Sequence, residues 1–368
     1  RFMNDINNKE MFPIQQSYSK EEQIKRYWKC NYTTVESQLA YWILLPKDVK
    51  PVQIEKQPIE GLDINNIGQY VSIDKTCPLL EVSVYYEHCW YEMNSADWLA
   101  KKLNLMGESI LHYRKINGTS TGTYADILTE KTINKDESVI SRFTVLKDYD
   151  PDFSGANYFM VKASCFKEDY QERMFDMLQI TNNWDLINKT NWNMAENLQP
   201  FSFKFKQNNF IFYFPVSWKM FKDSNHNNLS TQPIRFLLKH EDEGKNIGIV
   251  NIYLYTKTSK ENFESIASNI ETRFKNISEF ECKIQKKIVD NILNPKLEKV
   301  WYIQGNLEYP EKKFRAFLMS YLIQCNSGIC YIESIGPRPN LNNYYWEAGK
   351  RCIELIVESF DNMEFAKK

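Results

Sequence analysis

Four histidines, eight cysteines and one run of alternating aspartates are the residues through which this 368-residue chain could do chemistry. A nucleophile needs a base in hydrogen-bond reach and a third group to orient that base. His88 stands beside Cys89, but adjacent residues on a strand leave opposite faces, so the pair is no catalytic dyad without distant help. His226 sits in Asp223-Ser224-Asn225-His226-Asn227-Asn228, the composition of a solvated turn. The stretch Asp148-Tyr149-Asp150-Pro151-Asp152-Phe153-Ser154-Gly155 alternates carboxylates as a calcium loop does. An EF-hand loop counted from Asp148 would need glycine and glutamate where Phe153 and Phe159 stand, so the run reads as a hairpin turn. The sequence motifs G-x-S-x-G, H-E-x-x-H, G-x-x-x-x-G-K-[ST] and G-x-G-x-x-G are all missing. The sequence therefore predicts no catalytic residue, no metal ligand and no cofactor.

The cysteines (Cys30, Cys77, Cys89, Cys165, Cys282, Cys325, Cys330, Cys352) show no C-x-x-C or zinc-ligand spacing, and read as free, mostly buried thiols of a reducing compartment. Cys325 and Cys330 flank the turn signal Asn326-Ser327-Gly328 and could face each other across a hairpin. The sequons Asn117-Gly118-Thr119 and Asn276-Ile277-Ser278 carry little weight in an Asn-rich chain.

Hydrophobic residues make up 43% and aromatics 14%, against 12 Gly and 13 Pro, which is enough material for one large or two medium cores and excludes a disordered chain. A net charge of -1 lacks the electrostatic footprint of a nucleic-acid binder. No apolar run reaches the length needed to span a bilayer, so the chain is expected to be soluble and cytoplasmic. Because its first residue is Arg1, a removed signal or lipid anchor, and with it a periplasmic location, stays open.

The elements that must position any site repeat. Trp42 to Val49 reads like Phe212 to Trp218, each an apolar strand stopped by proline (Pro46 and Pro215), and Leu79 to Tyr86 matches Ile247 to Leu254, bringing Val82 onto Val250. Each strand leads to a helix, capped by Asn94-Ser95 or Ser259, with stripes Trp98, Leu99, Leu103, Met106, Ile110 and Phe263, Ile266, Ala267, Ile270, Phe274. Further on, Val139 to Tyr149 is aligned with Lys299 to Tyr309, Tyr158 to Val161 with Leu318 to Tyr321, and Cys165 with Cys325. The second half then makes a hairpin through Ile329 to Ile335, broken by Gly336-Pro337-Arg338-Pro339, and a terminal helix from about Tyr344 to Phe360. In the first half the chain passes from Cys165 almost directly into a helix of Tyr170, Met174, Met177 and Leu178, so one strand is expected to be missing there.

Strands joined by hairpins, with helices between, predict an α+β fold in which each half is an antiparallel sheet with packed helices. The order of elements resembles the Mog1/PsbP-like superfamily over about 32–186 and 201–362, carried by the Leu45-Pro46 and Phe214-Pro215 breaks and by a closing helix ending at Ser359-Phe360. The resemblance implies two tandem Mog1/PsbP-like domains, 32–190 and 200–368, after a helical extension over 1–31 that contains Lys20 to Arg26.

Alternation along the strands places Val82, Val84 and Tyr86, and likewise Val250, Ile252 and Leu254, on a face assigned to the helices. Ser83 and Tyr85, and Asn251, Tyr253 and Tyr255, share the opposite face. Tyrosine gives contact area and a hydroxyl at low entropy cost, so these five are the candidate binding residues; the competing reading buries them between the two sheets. The superfamily includes a Ran-binding protein, photosystem extrinsic subunits and chaperones of secretion effectors, none of which does chemistry. The resemblance thus implies a non-enzymatic accessory or chaperone-like protein of a bacterial secretion system, with a polypeptide partner. An envelope subunit or lipoprotein domain is the alternative, and an enzyme assembled only in three dimensions the third.

Overall fold

A computed structural model describes residues 11–15, 18–54, 62–117, 123–205, 207–222, 233–257, 261–276, 281–288, 294–309, 314–336, 339 and 343–365, the 281–288 stretch as backbone only. The sequon residues 118–119 and 277–278, the 223–228 run with His226, the cap Ser259 and the breaker residues 337–338 lie outside the described residues. The chain divides into two compact units, Arg1–Trp90 with Ser95–Ala195, and Tyr91–Asn94 with Glu196–Lys368.

Unit 1 runs α1 (Lys20–Arg26), β1 (Tyr27–Tyr32), β2 (Tyr41–Pro46), β3 (Val49–Pro51), β4 (Asn65–Ser72), β5 (Glu81–Cys89), α2 (Ser95–Leu105), β6 (Ser109–Asn117), β7 (Thr123–Asn134), β8 (Glu137–Tyr149), β9 (Ala156–Phe166), α3 (Tyr170–Asn182) and β10 (Trp184–Leu186). Unit 2 runs β11 (Leu198–Phe205), β12 (Asn208–Pro215), β13 (Trp218–Lys222), β14 (Ile234–Asp242), β15 (Lys245–Tyr255), α4 (Phe263–Asn276), β16 (Glu281–Ile288), β17 (Lys299–Tyr309), β18 (Phe314–Cys325), β19 (Gly328–Gly336) and α5 (Tyr345–Ser359). All strand pairs are antiparallel, so each unit is α+β.

The two seven-stranded sheets have the same order, β3-β4-β5-β9-β8-β7-β6 and β13-β14-β15-β19-β18-β17-β16. Register ties them residue to residue. Val49 pairs with Ser72 three residues after Pro46, and Trp218 with His240 three residues after Pro215. Following the ladders from there, Tyr70 meets Val82 and Leu238 meets Val250, so Val82 and Val250 are equivalent.

The later alignment is corrected by the same ladders. Strand β8 answers to β18 and β9 to β19, so Cys165, at the end of β9, has no equivalence to Cys325, at the end of β18. No strand is missing from the first half; β9 is itself the strand before the closing helix. The slip arose at β6, which lies at the sheet edge and lacks a clean two-residue alternation, with Ile110, Leu111 and Tyr113 all exposed. Ile110 belongs to that strand and not to the stripe of α2. The helix stops at Gly107 (φ +72), where Glu108 N–H returns to the Leu103 carbonyl at 3.0 Å and Gly107 N–H to Asn104 at 3.1 Å, the double bond of a Schellman cap. The 1–31 stretch holds the helix Lys20–Arg26, closed by a Ser19/Glu22 capping box, but β1 begins at Tyr27 and pairs with β2 inside unit 1.

The first core lies between one face of sheet β3 to β9 and a cover of α3 and β2, with Val82, Val84, Phe159, Val161, Ile43, Leu45, Met177 and Ile180 buried together. In unit 2 the hairpin β11-β12 and α5 cover the same face, where Phe212 stacks on Phe360 at 5.8 Å. The prolines end β2 and β12 before short turns, and in unit 1 the Trp28 indole N–H reaches the carbonyls of both Pro46 and Val49 at 3.1 Å, fastening that turn. No described helix is long and apolar enough to cross a membrane.

Candidate functional site

Alternation along β15 buries Val250, Ile252 and Leu254 and turns Asn251, Tyr253 and Tyr255 to the outer face, as expected. That face is not wholly free. Helix α4 lies on its far half, with Phe263, Ile266, Ile270 and Phe274 packed on Ile303, Leu307, Leu318, Leu322 and Tyr331, and with Tyr253 and Tyr255 against the edge of the cluster. Helix α2 does the same in unit 1, where the buried Glu87 carboxylate holds Lys102 at 2.8 Å and accepts the Trp98 indole N–H at 2.6 Å. The outer faces therefore each carry a helix that sequence alternation could not reveal.

What remains between α4 and β15 is a cavity of about 180 Å³ walled by Tyr253, Tyr255 and Tyr331 from the sheet and by Glu261, Ile270 and Arg273 from the helix side. At its edge Glu333, only 2% exposed, accepts the Arg273 guanidinium at 2.8 and 3.0 Å, the Tyr331 hydroxyl at 2.9 Å and the Tyr253 hydroxyl at 3.3 Å. Burial pushes the Tyr331 and Tyr253 phenols up, and the Glu333 charge adds to it. Burial works against the Arg273 charge, but Glu333 more than offsets it and the guanidinium is held more firmly charged than usual. The phenols thus stay protonated: they donate hydrogen bonds and do not act as bases.

Beyond α4, the outer face of β13 to β15 forms a row of half-exposed side chains. Arg235 donates to Asn251 at 2.9 Å and lies over the Tyr253 ring at 5.6 Å, and Lys239 lies over Phe221 at 5.2 Å. Phe221 is 44% exposed and Ile249 36%, and Leu237 pairs with both Phe221 and Asn251 across the ladder. Asn251, Tyr253 and Tyr255 are thus brought together with Arg235, Phe221, Lys239, Arg273 and Glu333, which the sequence reading missed. Alternation on β14 (Arg235, Leu237, Lys239) was the available signal for the first of these; nothing local points to Arg273.

In unit 1 the equivalents are more polar. Ser83 is buried opposite Lys162, and Tyr85 stands opposite Met160, with burial pushing its phenol up. Lys162 lies 3.7 Å from Glu108, which also accepts the Thr129 hydroxyl at 2.7 Å.

The other candidates are used structurally. His88 Nδ1 is 3.0 Å from Asn157 Oδ1 and 3.6 Å from Asp150, while Cys89 is buried and its thiol raised by desolvation. Asp148 accepts the Thr190 N–H and hydroxyl at 2.9 and 2.7 Å, and Asp150 accepts Asp152 N–H, Phe153 N–H and the Asn157 amide. Cys325 pairs with Gly328 and Cys330 with Ile323, so the two cysteines are not opposite each other and both are free thiols. Among the described residues no group of three His, Cys, Asp or Glu is placed to hold a metal ion.

No family model matches the chain, and no curated protein matches it. Among solved structures, the apo immunity protein TplEi of T6SS from Pseudomonas aeruginosa aligns over 91% of this chain and 96% of its own, at 10% identity and a TM-score of 0.22.

Proposed function

We propose that this chain is a non-enzymatic, protein-binding accessory or chaperone-like protein, built as a tandem of Mog1/PsbP-like domains, and that the outer face of β13 to β15 in unit 2 takes its polypeptide partner. The observation that carries this reading is the row Phe221, Lys239, Ile249, Arg235 and Tyr253, half-exposed on a sheet whose other face is sealed by a core. Aromatic rings, an aliphatic side chain and cations in one row suit an extended segment with apolar and acidic side chains. The Glu333 cluster supports binding over catalysis, because its carboxylate is already engaged by Arg273 and by both phenols. A bacterial secretion system is the setting that the Mog1/PsbP-like resemblance implies.

The test is affinity purification with the intact protein beside its Phe221→Asp variant. A polypeptide that co-elutes with the first and is lost from the second supports the reading. Identical sets from two equally folded proteins overturn it.

A further inference from the structure

Unit 1 holds a second feature, on the core side of its sheet. Arg142 on β8 is wholly buried and fastened to Asp126 on β7 by Nε–Oδ1 at 3.0 Å and Nη2–Oδ2 at 2.7 Å. That leaves Nη1 inside the protein, where a guanidinium N–H requires an acceptor. The acceptor is the Pro13 carbonyl at 2.8 Å. Two residues earlier, the Met11 carbonyl accepts the Tyr170 hydroxyl at 2.6 Å. Between them the Phe12 ring, 8% exposed, stacks on His112 at 5.6 Å and lies under the Arg142 guanidinium at 4.4 Å.

Two backbone carbonyls and one aromatic ring, here presented where the chain bends at Phe12, are features by which a cleft can read a peptide: the main chain supplies the hydrogen bonds and the ring selects the residue. Whatever replaces this segment must offer an acceptor to Arg142 Nη1, which a small apolar ligand does not. We propose that the Arg142–Tyr170–His112 cleft is a peptide-binding site, filled in this structure by the chain's own Met11–Pro13, for which an aromatic-bearing segment of a partner competes. The site is separate from the β13 to β15 face of unit 2.

The experiment titrates a fluorescein-labelled peptide, Met-Phe-Pro-Ile-Gln, into the full chain and follows anisotropy. Wild type competes with itself, so Phe12→Ala should bind the peptide about tenfold tighter or more. Adding Tyr170→Phe to that variant should weaken binding about fivefold through one lost hydrogen bond, and a peptide with alanine in place of phenylalanine should not bind. Phe221→Asp should leave this binding unchanged, which separates the outcome from that of the unit 2 surface. A folded Phe12→Ala protein that binds no tighter than wild type, or that takes the alanine peptide equally well, overturns the proposal. If Phe12→Ala does not fold, Phe12→Leu keeps the apolar volume and should show a smaller gain of the same sign; if neither folds, the segment is a fixed structural strap and the proposal fails.

Discussion

Lys162 and Glu333 stand at the same place in the two seven-stranded sheets and carry opposite charges. Each lies on the fourth strand, Lys162 across from Ser83 and Glu333 across from Asn251, the register partners that follow from Val82 and Val250. Each is paired, but in reverse sense: Lys162 with Glu108 at 3.7 Å, Glu333 with Arg273 at 2.8 Å. A repeated backbone has therefore kept an ion pair on its outer face while exchanging its polarity, so the two faces cannot select the same partner chemistry.

Glu333 depends on Arg273 more than Arg273 on Glu333, since the carboxylate is buried and the guanidinium is 42% exposed. Arg273→Met should lower stability by about 2 kcal/mol in urea unfolding. Adding Glu333→Gln should restore part of that loss, because the stranded charge is gone. Additive losses in the double variant would contradict the coupling.

Asp126 neutralises two guanidinium groups, Arg142 and, at 2.6 Å, Arg114. Replacing it by Asn leaves the buried Arg142 charge without its carboxylate partner, and should cost about 3 kcal/mol. Arg114→Ala, at a partly exposed position, should cost under about 1 kcal/mol. The ranking is checked by thermal denaturation of the two variants.

His240 is 1% exposed, stacked on Trp218 at 4.8 Å and met edge-on by Tyr91 at 4.6 Å, and its Nε2 has no hydrogen-bond partner. Burial lowers its pKa from 6.5 to about 4, against the weaker pull of Asp242. Between those values the unfolded chain binds the proton and the folded one does not, so stability is full above pH 6.5 and falls as the pH drops toward 4. The loss at pH 4 is about 3 kcal/mol from this group. In His240→Phe that part of the pH dependence should vanish, as read from urea midpoints across the range.

Gly328 closes the β18-β19 hairpin at φ +151, and a Cβ there would meet the Tyr255 carbonyl and, at 3.0 Å, the Phe210 ring. The first obstacle is backbone and cannot turn aside. Gly328→Ala should cost about 2 kcal/mol, whereas Gly244→Ala, in open space though at φ +75, should cost about 1 kcal/mol. Equal melting temperatures for the two would refute the steric account.

Local periodicity alone revealed the apolar strands, their proline stops, the antiparallel α+β character and the faces of β5 and β15, because a strand alternates whatever it later packs on. It aligned Val82 with Val250 for the same reason. It failed at β6, where an edge strand with exposed apolar residues blurs the alternation, and the slip then carried Cys165 onto Cys325. Only the tertiary structure decided that α2 and α4 cover the outer faces, that Arg273 reaches Glu333 across 60 residues, and that Phe12 closes over Arg142 across 130. Those contacts join segments whose own sequences are satisfied equally well by solvent; folding alone brings a buried charge to the one group able to neutralise it.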